Sequence, residues 1–194
     1  LFQDKNDNFW FGTYNGGLFK AFAGSEKVIM YDVKDGLADN WVSCSNEDKD
    51  GNIWVGTWGG GISKIYKGNG SMLTFDPSNG LKDKKIRCLL EDREGNILIG
   101  TNENGLLIFK GEQFVSFSET NGLIDDQIWS IIEDSQGLFW FGTNEGITTF
   151  DPKAEGEESY TNYNNLNGLL DNHIRFIKED KNHNLWIASW GGGI

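Results

Sequence analysis

Five copies of one phrase constrain what this chain can fold into. "DKNDNFWFGTYNGGLFK" begins at Asp4, "DKDGNIWVGTWGGGISK" at Asp48 and "DREGNILIGTNENGLLI" at Asp92; "DSQGLFWFGTNEGITTF" begins at Asp134 and "DKNHNLWIASWGGGI" at Asp180. The opening aspartates lie 44, 44, 42 and 46 residues apart. A second phrase keeps step with the first: "DGLADNWV", "NGLKDKKI", "NGLIDDQI" and "NGLLDNHI". Its glycines, Gly36, Gly80, Gly122 and Gly168, each precede the next aspartate by 12 residues. Two motifs in fixed phase make this a repeat chain, and the repeat length governs every other inference.

Each repeat reads as four short strands. In the third, residues 86–91, 97–101, 106–110 and 114–117 are β-rich and separated by Gly, Asn and Asp clusters, the pattern of an all-β fold. Pro77 and Pro152 fall outside the expected strands, as ladder hydrogen bonding requires. No stretch keeps a 3.6-residue period, so essentially no helix is expected. A four-stranded unit of about 40–45 residues is the blade of a β-propeller. The expected blades are a partial one over 1–33, full ones over 34–78, 79–120 and 121–166, and a partial one over 167–194. Trp10, Trp54, Trp140 and Trp186 share one slot, which Leu98 fills in the third repeat. A large apolar group there belongs between adjacent sheets about 10 Å apart. The first repeat lacks its first strand unless residues 1–3 supply it, and the last lacks its final strands. The chain therefore reads as a piece of a larger propeller or array. An uncovered terminal sheet face would invite pairing with a second copy, so a homodimer or other self-association is expected.

With 38% hydrophobic and 24% charged residues, the chain is globular rather than disordered. A net charge of -12 argues against nucleic acid and anionic membrane surfaces, whose binding is driven by Lys and Arg. Nothing approaches a run of about 18 apolar residues, so membrane attachment would have to come from segments outside this sequence.

Catalytic and metal chemistry find little support. The glycine-rich "GNIWVGTWGGGISK" lacks both the spacing of a phosphate-binding loop and the helix that should follow. "DKDGN" resembles the start of a calcium loop, but its glycine is fourth, and Gly59 stands where the loop's glutamate should. Cys44 and Cys88 hold the same slot in consecutive blades, too far apart for a disulfide, and are expected as free thiols in the core. His183 shares the slot of Asp7, Gly51, Gly95 and Gly137 and reads as a turn residue. No cofactor, metal or catalytic residue is expected. The glycines are read as turn formers.

Binding is better supported. Strand alternation sends the "NGLxD" connections and the "GT-x-x-G" turns to one end of the blades. That rim carries Tyr14, Trp41, Trp58 and Trp190, with Asn102 and Asn144 in the Tyr14 slot and His173 in the last connection. Aromatic faces beside amide and carboxylate groups suit sugars.

These phrases resemble the two-component regulator propeller repeat: Asn-Gly-Leu, an apolar strand, Glu-Asp, Gly-Asn-Ile/Leu-Trp-Ile-Gly-Thr, then Gly-Gly-Leu/Ile. The resemblance covers nearly the whole chain; Leu98 for tryptophan, "IASW" at 187–190 and one residue fewer after Thr143 are local departures. It implies the periplasmic sensor region of a hybrid histidine kinase, commonly built from tandem seven-bladed propellers, a β-sandwich, a membrane helix and kinase domains. Such sensors commonly detect oligosaccharides, here with no catalysis in this segment, and relay the signal through conformational change or dimer rearrangement. Two other readings stand beside it. One is a protein-interaction platform. The other is an enzyme similar to the streptogramin lyases, which share an Asp-x-x-Gly-x-x-Trp repeat but need histidines and acids around a metal.

Overall fold

The computed structural model describes residues 1–154 and 156–194. The first sheet holds β1 (Phe2–Gln3), β2 (Phe9–Gly12), β3 (Leu18–Ala21) and β4 (Val28–Tyr31) in chain order. The second holds β5 (Val42–Glu47), β6 (Ile53–Thr57), β7 (Ile62–Ile65) and β8 (Met72–Phe75). The third holds β9 (Ile86–Glu91), β10 (Ile97–Thr101), β11 (Leu106–Lys110) and β12 (Gln113–Phe117). The fourth holds β13 (Ile128–Glu133), β14 (Phe139–Thr143), β15 (Ile147–Phe150) and β16 (Tyr160–Tyr163). The fifth pairs β17 (Ile174–Glu179) with β18 (Leu185–Ser189).

The protein is all-β, a series of up-and-down antiparallel sheets of propeller-blade form. Residues 1–99 with 109–114 form one compact unit, and 100–108 with 115–194 a second. Residues 2 and 3 supply the first strand of the first sheet, the case the sequence left open: Phe2 pairs with Trp10 and Gln3 with Phe9. Among the described residues, helix is confined to three short 3-10 segments, at Pro77–Asn79, Glu119–Asn121 and Gly156–Ser159. Pro77 opens one of them, where its missing N–H costs nothing.

The turn between the first two strands of each repeat is built by its aspartate. In the second repeat, Asp48 Oδ1 accepts from the N–H groups of Asp50 (3.1 Å) and Asn52 (2.8 Å). Its Oδ2 accepts from Asn52 Nδ2 (2.9 Å) and from the indole of Trp54 (3.0 Å). Asp4 holds Trp10, Asp134 holds Trp140 and Asp180 holds Trp186 in the same way. These carboxylates are filled by donors of their own loops, which explains why a calcium-like sequence serves here as a structural knot. The fourth turn residue needs positive φ in all five repeats: Asp7 63°, Gly51 86°, Gly95 87°, Gly137 86° and His183 64°. His183 is the turn residue its slot implies.

Not every glycine is a turn former, contrary to the expectation from sequence. Gly12, Gly56 and Gly142 lie in strands, and a methyl group there would strike the next sheet. At Gly56 it would sit 2.6 Å from Ile86 Cγ2 of the next sheet and 2.5 Å from Cys44 Sγ across its own; at Gly12, 2.3 Å from Val42 Cγ1 of the next sheet. The Gly of Gly-Thr thus sets how closely a following strand approaches. In the first unit Trp10, Leu18, Leu37, Val42, Ile53, Val55 and Ile65 form one core between the first two sheets. In the second, Ile147, Ile174 and Ile177 join the fourth and fifth. Cys44 and Cys88 are not joined in a disulfide, and burial pushes the Cys44 thiol up to about 12.

Candidate functional site

The "NGLxD" connections and "GT-x-x-G" turns are tied together by main-chain hydrogen bonds, which gather them into a rim within each unit. Trp58 N donates to Trp41 O at 2.9 Å, and Val42 N to Thr13 O at 2.9 Å. Trp190 N donates to His173 O at 2.9 Å, and Gly105 N to Asp126 O at 2.9 Å. The aspartate of each "NGLxD" fixes the turn into the next strand. Asp39, Asp125 and Asp171 accept from the backbone N–H two residues on, at 2.7, 3.2 and 2.9 Å. Asp171 Oδ2 also accepts from Gly191 N, and with both bonds from His173 this holds its carboxyl down to about 2.

In the first unit, Tyr14, Trp41 and Trp58 form a ladder. The ring centroids of Tyr14 and Trp41 are 4.3 Å apart, and those of Trp41 and Trp58 5.4 Å. The Arg87 guanidinium extends it, 4.7 Å from the Trp58 centroid. Tyr14 remains 72% exposed, so the ladder fills the gap between loops and still presents a face.

In the second unit, the Asn144 side chain accepts from the Trp129 indole at 3.0 Å and donates to Gln127 Oε1. Gln127 Nε2 donates to Asn102 O at 3.3 Å, and the Asn102 amide donates to Glu103. Asn144 therefore positions Trp129, its side-chain oxygen and nitrogen both engaged. Arg175 lies with Cζ 3.6 Å from the Trp129 centroid and 5.2 Å from that of Trp190. Trp190 is 79% exposed. His173 is exposed at the same rim, its Nδ1 3.0 Å from Asp171 Oδ1.

Sequence reasoning passed over Arg87, Trp129 and Arg175. All occupy the slot seven residues after the "NGL" glycine, as does Ser43. The strand register shifts between Val42 and Cys44, Ile128 and Ser130, and Ile174 and Phe176. Such a bulge re-aims the extra residue, here toward the rim. Ser43 uses it to hydrogen-bond the Ile86 carbonyl; the others place aromatic or cationic groups. The variable chemistry of this one slot was the signal available in the sequence.

A cavity of ≈ 130 Å³ opens elsewhere in the first unit, lined by Asp4, Trp10, Lys20, Glu47, Tyr66 and Lys67 among others. Its central groups are occupied structurally: Asp4 binds the Trp10 indole, and Lys20 Nζ lies 4.7 Å over that ring and 3.8 Å from Asp4. The rim is the better candidate site.

The two-component regulator propeller model matches residues 36–59, 80–103, 122–145 and 168–191. The chain belongs to this family. The four matches each begin at the glycine of that connection and run through the following turn, Gly-Thr in three repeats and Ala-Ser in the fourth, so the family signature includes the rim. The extracellular domain of BT3049 from B. thetaiotaomicron, described as a hybrid two component system, is similar with a TM-score of 0.86 and 27% identity over 98% of this chain and 26% of that chain. The corresponding domain of BT4673 from the same organism has a TM-score of 0.77 and 24% identity, over 97% of this chain and 28% of that one. Virginiamycin B lyase from Staphylococcus aureus shares the fold, with a TM-score of 0.74 and 14% identity, over 98% of this chain and 62% of the lyase. This chain spans about a quarter of the BT3049 domain it matches. Comparison with curated proteins found no match. No helix among the described residues is long and apolar enough to cross a membrane.

Proposed function

We propose that this sensor-family propeller segment is extracytoplasmic, in the periplasm, and binds oligosaccharides on the rim of each unit, which carries Tyr14, Trp41 and Trp58 in the first and Asn102, Asn144, His173 and Trp190 in the second. The observation that carries the reading is the Tyr14–Trp41–Trp58 ladder, which holds large aromatic faces at the surface beside hydrogen-bonding loops. Adjacent tilted rings offer apolar faces at low entropic cost, suited to the C–H faces of sugars. The family and the extracellular relatives support a sensing role. Signal output would pass to a histidine kinase in a longer protein. A ligand shifts such an equilibrium only if it binds two conformational or dimeric states with different affinity.

Calorimetric titration of defined oligosaccharide pools tests this, with Trp41→Ala and Trp58→Ala checked for folding. The expected result is saturable binding that each folded variant weakens about tenfold, equivalent to about 1.4 kcal/mol. Absence of heat from every pool would remove the saccharide reading and leave a protein-docking rim.

A further inference from the structure

We propose that the fifth sheet of one copy docks on the first sheet of another, head to tail, through the same joint that packs neighbouring sheets within the chain.

That joint is visible once in each unit. Trp10 of the first sheet shares a core with Ile53, Val55 and Ile65 of the second. Trp140 of the fourth sheet packs into one cluster with Leu185 and Ile187 of the fifth. Ile53 and Val55 flank Trp54, as Leu185 and Ile187 flank Trp186. Side chains alternate across a strand, so a sheet turns its tryptophan slot toward the sheet that follows and the flanking slots toward the one that precedes. The polar edge of the joint recurs too. The N–H after the repeat aspartate donates to the glutamate that ends the first strand of the following sheet: Lys5 to Glu47 at 2.6 Å, Lys49 to Glu91 at 2.9 Å and Ser135 to Glu179 at 2.8 Å.

The first and fifth sheets each expose one half of this joint. On the fifth, Trp186 and Phe176 are exposed. Phe176 holds the slot of Ser130, whose hydroxyl in the fourth sheet accepts from Ile177 N of the fifth at 3.0 Å. On the first, Phe9 and Phe11 hold the Ile53 and Val55 slots, and strand pairing sets Phe19 and Met30 on the same face. The rings of Phe11 and Phe19 stack at 5.3 Å. Phe9 is 45% and Met30 48% exposed, whereas Ile53 and Val55 are buried. The polar edge is matched as well: Lys181 follows its repeat aspartate as Lys5 does, and Gln3 stands where Glu47 stands. Gln3 Nε2 donates to Asp7 Oδ1 at 3.0 Å, and the other end of its amide is an acceptor. An uncharged acceptor suits a meeting of two chains that each carry a net charge of -12. Two fifth sheets set face to face would oppose tryptophan slot to tryptophan slot, which neither internal joint does. The contact is therefore between two different surfaces and can repeat from copy to copy.

Sedimentation velocity in about 1 M salt, where charge is screened within about 3 Å, compares the unaltered chain with Trp186→Lys, Phe9→Lys and Met30→Lys, each checked for folding. The unaltered chain should gain mass with concentration. Each variant alone should stay monomeric, because every joint needs both faces. An equimolar mixture of Trp186→Lys and Phe9→Lys should form a dimer and nothing larger, since the two together keep one intact pair of faces. Met30→Lys should behave as Phe9→Lys does, and it takes that variant's place if Phe9→Lys does not fold. Folded first-sheet variants that associate as strongly as the unaltered chain would show that the first sheet takes no part, and overturn the proposal. A mixture that stays monomeric overturns it as well. So does an unaltered chain that is monomeric at every concentration, which would leave both faces to a different partner.

Discussion

Asp48 is 5% exposed, and burial by itself would raise its pKa. Hydrogen bonds from Asn52 and the Trp54 indole, with Lys64 nearby, outweigh that and hold it below its ordinary 3.8. A carboxylate whose folded pKa is depressed adds stability that is present above the unfolded pKa and lost as pH falls through the folded one. Asp48→Asn would turn an amide toward the Trp54 N–H or the Asn52 side-chain amide, donor against donor. Urea melts at pH 7 should show a loss of about 1.5–3 kcal/mol, the range for hydrogen bonds to a charged group. The difference from the unaltered chain should narrow as pH is lowered below 3.8, where the native aspartate takes up its own proton. Equal stability at pH 7, or a gap that does not narrow in acid, would show that the knot contributes nothing. The recurring Asp and Trp were each legible in the sequence, as turn and as packing group. Their bond was not, because the two are six residues apart across a turn and neither β periodicity nor turn chemistry predicts that they meet. Arg175 was missed for a related reason: its stacking on Trp129 is a property of its surroundings.

Among the elements, strands were the most legible. In the third repeat β9, β10 and β11 have the limits expected from their Gly, Asn and Asp boundaries, and β12 begins one residue earlier, at Gln113. The bulges were invisible, since an extra residue shows only when two strands are laid side by side in register. Overlooking them turned the slot of Ser43, Trp129 and Arg175 into an ordinary strand position. Packing between sheets was legible in the tryptophans but not in the strand glycines. Gly56 tests that packing directly. A Cβ there would lie 2.5 Å from Cys44 Sγ and 2.6 Å from Ile86 Cγ2, so β9 would have to move. Gly56→Ala should cost about 1–3 kcal/mol, the range for overfilling a packed core. Gly68 has ordinary φ, and a methyl group added to it would meet nothing within 4 Å; Gly68→Ala should be neutral or stabilising by up to about 1 kcal/mol through the unfolded chain. Denaturant melts of the two variants decide the matter: equal midpoints would mean that the strand glycines do not govern sheet spacing.

At the scale of the molecule, charge and exposed apolar surface oppose each other. Trp10 and Trp54 are 3% and 2% exposed, yet Trp186 in the same slot is 55% exposed, with Phe176 at 57%. Pairing of Phe176 with Ala188 and of Lys178 with Trp186 puts these groups on one face of the fifth sheet. That face is built like those that are covered elsewhere in the chain, and we propose that a second copy covers it. The net charge of -12 resists such an approach. Added salt screens that repulsion, with a Debye length of about 10 Å at 0.1 M and about 3 Å at 1 M, and leaves hydrophobic burial in place. Association should therefore strengthen with salt, the reverse of an interface held by ion pairs. Sedimentation equilibrium across protein concentration at low and high salt should show a mass rising with both. Trp186→Lys, which adds a charge to the face without entering a core, should hold the chain monomeric. A single monomeric mass under every condition, or association that salt weakens, would mean that this face does not join two copies.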